Sequence, residues 1–301
     1  MDANQTHPNP AWLVIFTWAV VLLVSDLPDA IWQALLGDRP AWLFWPKVAL
    51  LLVLVLSSLV WRGIRRIRLY FLLLLVLMLA SWGMNWLRTT PAYLHWEQQA
   101  GWLWGMVAYQ AIKLAVTCIT ILALLLLGRR RKEFFLTRGQ LNAPLRRTKP
   151  GDDRVKRSLA WGQLGLILGL SILPLTVLFF ALGNLPSSAA LIKALPFLPV
   201  VLLFAATNAF SEETQFRASL LGDLRQAFGD DHAIWMTAAF FGFMHYFGGS
   251  PAGIPGVIIA GLLGALFATC MLGSKGLTVP WFIHFCQNAV IYSFWAIDSV
   301  I

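Results

Sequence analysis

The chain has 301 residues, 58% of them hydrophobic and only 12% charged, whereas soluble domains average about 45–50% apolar and about 25% charged. That balance excludes an ordinary soluble enzyme, and three cysteines exclude a disulfide-stapled secreted domain. The net charge of +9 does not indicate a nucleic-acid partner: eleven Lys/Arg against Glu133, Asp152 and Asp153 crowd into the one segment Arg129–Arg157, without the aromatic interleaving of a nucleic-acid surface.

Hydrophobic residues fall in blocks of roughly 17–25, the length that crosses a hydrocarbon core about 30 Å thick. In chain order the blocks lie near residues 11–36, 41–61, 68–87, 102–128, 158–182, 190–212, 233–248, 254–272 and 278–298. The expected fold is therefore all-α, a polytopic helical membrane protein with about eight to nine transmembrane helices. Asp26, Pro28 and Asp29 interrupt the first block, and the seventh is short. Met1 to Pro10 has no basic cluster and precedes a long apolar block, so no cleavable signal peptide is expected. Cys118, Cys270 and Cys286 lie inside predicted spans at no metal-binding or CxxC spacing and read as free buried thiols. Tryptophans gather at span ends (Trp42, Trp45, Trp82, Trp86, Trp96, Trp102, Trp104), where interfacial anchoring accounts for them.

The basic segment 129–157 divides the chain into a four-helix N-terminal membrane region, 1–128, and a C-terminal membrane domain, 158–301. A second basic cluster, Arg62, Arg65, Arg66 and Arg68, joins the second and third spans. With alternating spans both loops share a side, which the positive-inside rule makes cytoplasmic together with the N-terminus. Contact with the anionic surface of the bilayer follows from the same charges. Within the N-terminal region, Lys47 and Arg88 are placed near span ends, from which they can snorkel. Lys113 is mid-span and must face protein or a wet cavity, where an ion pair is its ordinary role.

The C-terminal half carries three polar motifs on successive hydrophobic segments. Glu212 and Glu213 precede Arg217. On a helix, residues four apart share a face, so Glu213 can pair with Arg217. Glu212 is rotated about 100° from Glu213, so it can point elsewhere, toward a cavity, and is expected to be available to take a proton. Phe241 and His245 are also four apart, in a segment whose Gly242, Gly248 and Gly249 permit close helix approach. His284 and Asn288 share a face of the last span and offer imidazole and amide N–H donors, the kind that stabilise an oxyanion. Apolar periodicity through Phe216, Leu220, Leu221, Leu224 and Phe228 extends the sixth span as one helix to about 227. Each motif alone has a plainer reading: an interfacial salt bridge, a hydrogen-bonded core histidine, an asparagine that glues helices.

In this order, the pattern EExxxR, FxxxH, HxxxN resembles the CAAX protease and bacteriocin-processing family of glutamate-type intramembrane proteases, which includes the prenyl-protein endopeptidase of the endoplasmic reticulum. The resemblance covers roughly 195–295, with no departure at a motif position. It implies an endopeptidase in which Glu212 and His245 activate a water, His284 and Asn288 form the oxyanion hole, and Glu213, Arg217 and Phe241 support them. It implies no cofactor, no metal and no acyl-enzyme. The partners it implies are the lipid bilayer and a membrane-associated peptide or protein substrate.

Two other readings compete. Two histidines and a glutamate can bind zinc, although the HExxH spacing of a metalloprotease is absent. A non-enzymatic membrane protein (a transporter, immunity factor or chaperone) can use the same polar cluster as packing glue or proton relay. Short loops and the marked charge bias suggest a bacterial inner membrane protein. Nothing in the sequence sets an oligomeric state or a substrate.

Overall fold

The computed structural model describes residues 11–145, 158–183 and 185–301. The C-terminal part of the basic loop, 146–157, lies outside the described residues. Within them the chain is helical, with no strand and a single isolated bridge between Pro144 and Ala160. Six helical segments are long and apolar enough to cross a membrane: Ala41–Val60, Arg62–Arg88, Pro91–Leu126, Trp161–Ala181, Ser188–Phe228 and Gly253–Ser274. A seventh arises if α1 (Ala11–Val24) and α2 (Leu27–Leu36), bent by 55°, count as one broken span. The protein is thus a polytopic helical membrane protein. The two remaining long helices, α10 (Asp230–Gly248) and α12 (Thr278–Asp298), have the length but less apolarity. They are the helices that carry the histidine motifs.

The helices form two compact units, each drawing on both halves of the sequence. The first contains residues up to Leu79 and Ser219–Ala268. Its elements are α1, α2, α3 (Phe44–Val60), most of α4 (Arg68–Arg88), α9 (Ser219–Phe228), α10 and most of α11 (Gly253–Ser274). Here α10 packs on α9 and α1. Gly242 sets the approach of α10 to α11: a Cβ there would stand 2.8 Å from the Val257 carbonyl and 3.1 Å from Gly261 Cα. Gly249 is similarly confined by the His245 and Pro251 carbonyls, each 2.6 Å from a built Cβ, whereas Gly248 meets nothing within 4 Å and serves no close packing.

Lys47 does not snorkel. It is 7% exposed and bonded to Asp29 and to the Ser25 carbonyl (2.6 Å), with Asp26 at 3.8 Å. The bend between α1 and α2 turns both aspartates inward, and a buried ammonium with two carboxylates in reach has no reason to extend toward water.

The second unit contains Ala80–Ala218 and Thr269–Ile301. Its long helix α5 (Pro91–Leu126) breaks at Gly101, whose φ of 67° suits glycine alone. Thr90 caps its start by accepting from the Tyr93 N–H. The final helix, α12, packs against α6 (Trp161–Ala181), α7 (Ser188–Ala194) and α8 (Leu198–Glu213), and α8 also packs on α5. Small residues set the spacing: a Cβ at Gly169 of α6 would come 2.7 Å from the Phe282 ring and 3.2 Å from Cys286 Sγ. All three cysteines are free; Cys270 and Cys286 are buried, but Cys118 is exposed on an apolar helix face.

Candidate active site

The EExxxR motif straddles a change of helix type. Regular α8 ends at Glu213, and Thr214–Ala218 form a π turn before α9 begins. Helical structure therefore does continue to Phe228, but with one widened turn in the middle. Such turns are inserted where function needs an extra residue accommodated, because they cost backbone hydrogen-bond quality. Every residue from Glu213 to Leu221 is buried. Four consecutive positions that include Gln215 and Arg217 are thus enclosed on all sides, a placement that polar side chains tolerate only when paired.

Each charge has an opposite charge beside it. Arg217 NH1 donates to Glu213 Oε1 at 2.6 Å, with side chains 1% and 0% exposed. The same oxygen accepts from His284 Nδ1 at 2.8 Å. A carboxylate held by a guanidinium only accepts, so Nδ1 of His284 carries a proton. The other ring nitrogen, Nε2, faces Glu212 Oε2 at 3.5 Å. His284 is thus set between both carboxylates of the motif.

Glu212 has different surroundings. Its side chain is 13% exposed where Glu213 has none. Oε1 accepts from Lys113 Nζ at 2.6 Å and from Asn208 Nδ2 at 3.1 Å. Lys113 also donates to Asn208 Oδ1. Two carboxylates, one ammonium and one guanidinium cancel in formal charge with His284 neutral. Among the described residues no group of three or more His, Cys, Asp or Glu is disposed to hold a metal ion.

Asn288 lies one turn beyond His284 and is 5% exposed, and its Nδ2 has no hydrogen-bond partner among the described residues. A buried amide donor left unpaired costs about 1–3 kcal/mol, a cost that is recovered when a ligand oxygen accepts from it. Nearby, Gln110 donates to the Tyr292 hydroxyl (3.1 Å) and accepts from Thr207 (3.3 Å), extending the polar cluster along α5, α8 and α12.

Phe241 and His245 belong to the other unit, on α10. Their rings are 4.4 Å apart between centroids, and His245 Nδ1 donates to the Phe241 carbonyl at 2.9 Å. Since a carbonyl only accepts, the neutral ring keeps its lone pair on Nε2, the form required of a base. The FxxxH spacing thus does two jobs: Phe241 packs the ring and also fixes its tautomer.

Of the seven residues singled out from sequence, the second unit gathers Glu212, Glu213, Arg217, His284 and Asn288, and the first holds Phe241 and His245. The structure adds Lys113 and Asn208 as partners of Glu212. Asn208 was readable, one helical turn before Glu212. Lys113 stood out as a mid-span charge, but its partner is 99 positions away and nothing local points to it.

The arrangement is a buried carboxylate–histidine–carboxamide cluster in a polytopic helical membrane protein. Residues 193–290 match the family model described as Rce1-like, Type II CAAX prenyl endopeptidase Rce1-like. This part of the chain is therefore similar to the CAAX prenyl endopeptidases, which indicates a protease, and all seven motif residues fall within the matched stretch. No curated protein and no solved structure matches the chain.

Proposed function

We propose that the protein is a glutamate-type intramembrane endopeptidase that hydrolyses a peptide bond of a membrane-associated protein or peptide through a water activated by Glu212 and His245. The observation that carries this reading is the inequality of the two glutamates. Glu213 is bonded to Arg217 and His284 with no exposure, whereas Glu212 is held through Oε1 by Lys113 and Asn208 and has a side chain 13% exposed. A general base must be both held and reachable.

The steps balance without a covalent intermediate. Water adds through oxygen to the scissile carbonyl carbon as its proton passes to Glu212, with the Nε2 lone pair of His245 orienting it. The carbonyl π pair moves onto oxygen, giving an oxyanion that Asn288 Nδ2 would stabilise, joined by His284 Nε2 when that nitrogen takes up a proton from solvent. Collapse re-forms the C=O bond and breaks C–N. The proton held by Glu212 goes to the leaving nitrogen, and the products are a carboxylic acid and an amine, which ionise to a carboxylate and an ammonium. Glu213 and Arg217 would keep His284 in orientation, as the third member of a catalytic constellation does.

The test is cleavage of a quenched fluorescent prenylated CAAX peptide by purified full-length protein in lipid vesicles. Wild type is expected to cleave it, with Glu212→Gln and His245→Ala each losing at least about 100-fold in kcat. Equal rates in all three would remove the proposed chemistry. A wild-type activity abolished by chelator and restored by zinc would replace it with the metalloprotease reading.

A further inference from the structure

The ammonium that pairs with Glu212 comes from outside the matched domain. Lys113 lies on α5, eighty positions before the match begins at 193. Its Nζ donates to Glu212 Oε1 (2.6 Å) and to Asn208 Oδ1, and it stands 5.2 Å from the centre of the Tyr109 ring. Asn208 Nδ2 closes the triangle on the same Glu212 oxygen at 3.1 Å. A second set of bonds fastens the same stretch of α5 to the π turn: Gln215 Nε2 donates to the Lys113 carbonyl (3.0 Å) and to Thr117 Oγ1 (2.8 Å). Gln215 is one of the variable positions inside EExxxR, so this contact is not part of the motif itself.

The arrangement fixes one carboxylate oxygen and turns the other toward His284. Oε1 receives two donors, while Oε2 lies toward His284 at 3.5 Å. Arg217 is committed to Glu213, so without Lys113 the two adjacent carboxylates would share one cation in apolar surroundings. The uncompensated group would then take up a proton and cease to be a base.

We propose that Lys113 is the positioning residue of the Glu212 carboxylate: it keeps the group ionised and holds Oε1, so that Oε2 is the oxygen presented to the reacting water. The inference rests on the reading of Glu212 as general base, and it extends the site from the matched domain into the N-terminal half of the chain. It gives α5 a chemical role besides crossing the membrane.

Two measurements on full-length protein in lipid vesicles test it. The first is infrared difference spectroscopy of Lys113→Met, which is expected to show a protonated-carboxyl C=O band that disappears in the double variant with Glu212→Gln. The second is cleavage of the quenched prenylated CAAX peptide. Lys113→Met is expected to lose about 100-fold in kcat with KM unchanged, and Lys113→Arg, which keeps the charge, to retain about a tenth of the wild-type kcat or more. A purely structural lysine would instead lower the folded yield and leave kcat per folded molecule as in wild type. That result, or the absence of the band, overturns the assignment. If wild type leaves the peptide uncut, the protease reading loses its support on that substrate, and the infrared comparison alone decides the role of Lys113.

Discussion

Arg217→Met separates the support of the site from its chemistry. Arg217 and Glu213 are 1% and 0% exposed and 2.6 Å apart. Breaking a buried pair by removing one partner costs about 3–5 kcal/mol, because it leaves an uncompensated charge. Here His284 Nδ1 still donates to the same Glu213 oxygen, and a hydrogen bond to a charged group contributes about 1.5–3 kcal/mol. The expected loss therefore lies at the low end, about 3 kcal/mol. In the double variant Arg217→Met, Glu213→Gln the buried charge is gone, the Gln carbonyl still accepts from His284, and methionine fills much of the guanidinium volume. Its stability should return to within about 1 kcal/mol of wild type, since buried pairs replaced as a whole are often neutral. The assay is reversible SDS-driven unfolding in mixed micelles, run as a double-mutant cycle. A single variant within about 1 kcal/mol of wild type, or strictly additive effects, would refute the reasoning.

Two further outcomes follow from individual positions. Asn288→Ala should lower kcat by about 100- to 1,000-fold, as loss of an oxyanion donor does. Its stability should change by only about 1 kcal/mol, because Nδ2 has no partner to lose among the described residues; peptide cleavage and SDS unfolding check the two together. Gly242→Val should destabilise by about 3 kcal/mol or more in the same unfolding assay, because its Cβ would press on the Val257 carbonyl and Gly261 Cα, backbone atoms that cannot rotate aside.

What was legible in the sequence was local. Glu213 and Arg217 meet because four residues is nearly one turn, and Phe241 meets His245 for the same reason. The helical membrane class followed from block length, and the apolar periodicity past Glu213 carried the sixth segment to Phe228. What was not legible depended on distant partners. Lys47 reads as a span-end residue free to snorkel, until the bend after Val24 brings Asp26 and Asp29 to it. Lys113 reads as a misplaced charge until α5 packs on α8. The π turn at Thr214–Ala218 has no signature in residue type, because its extra residue is specified by burial and pairing around it. His284 reads as an oxyanion donor beside Asn288; nothing local signals its bond to Glu213, because α8 and α12 are more than sixty residues apart in sequence.

The central claim is that this membrane protein cuts peptide bonds through Glu212, and terminal-enriched mass spectrometry tests it most directly. Membrane and secreted peptides would be compared between cells expressing wild type and Glu212→Gln at matched levels. The account predicts new protein termini with wild type that are absent with Glu212→Gln, and those termini would identify the substrate at the same time. Identical termini in the two strains, where deletion of the protein changes the cell's phenotype and Glu212→Gln restores it, would contradict the account and favour a non-enzymatic role for the cluster.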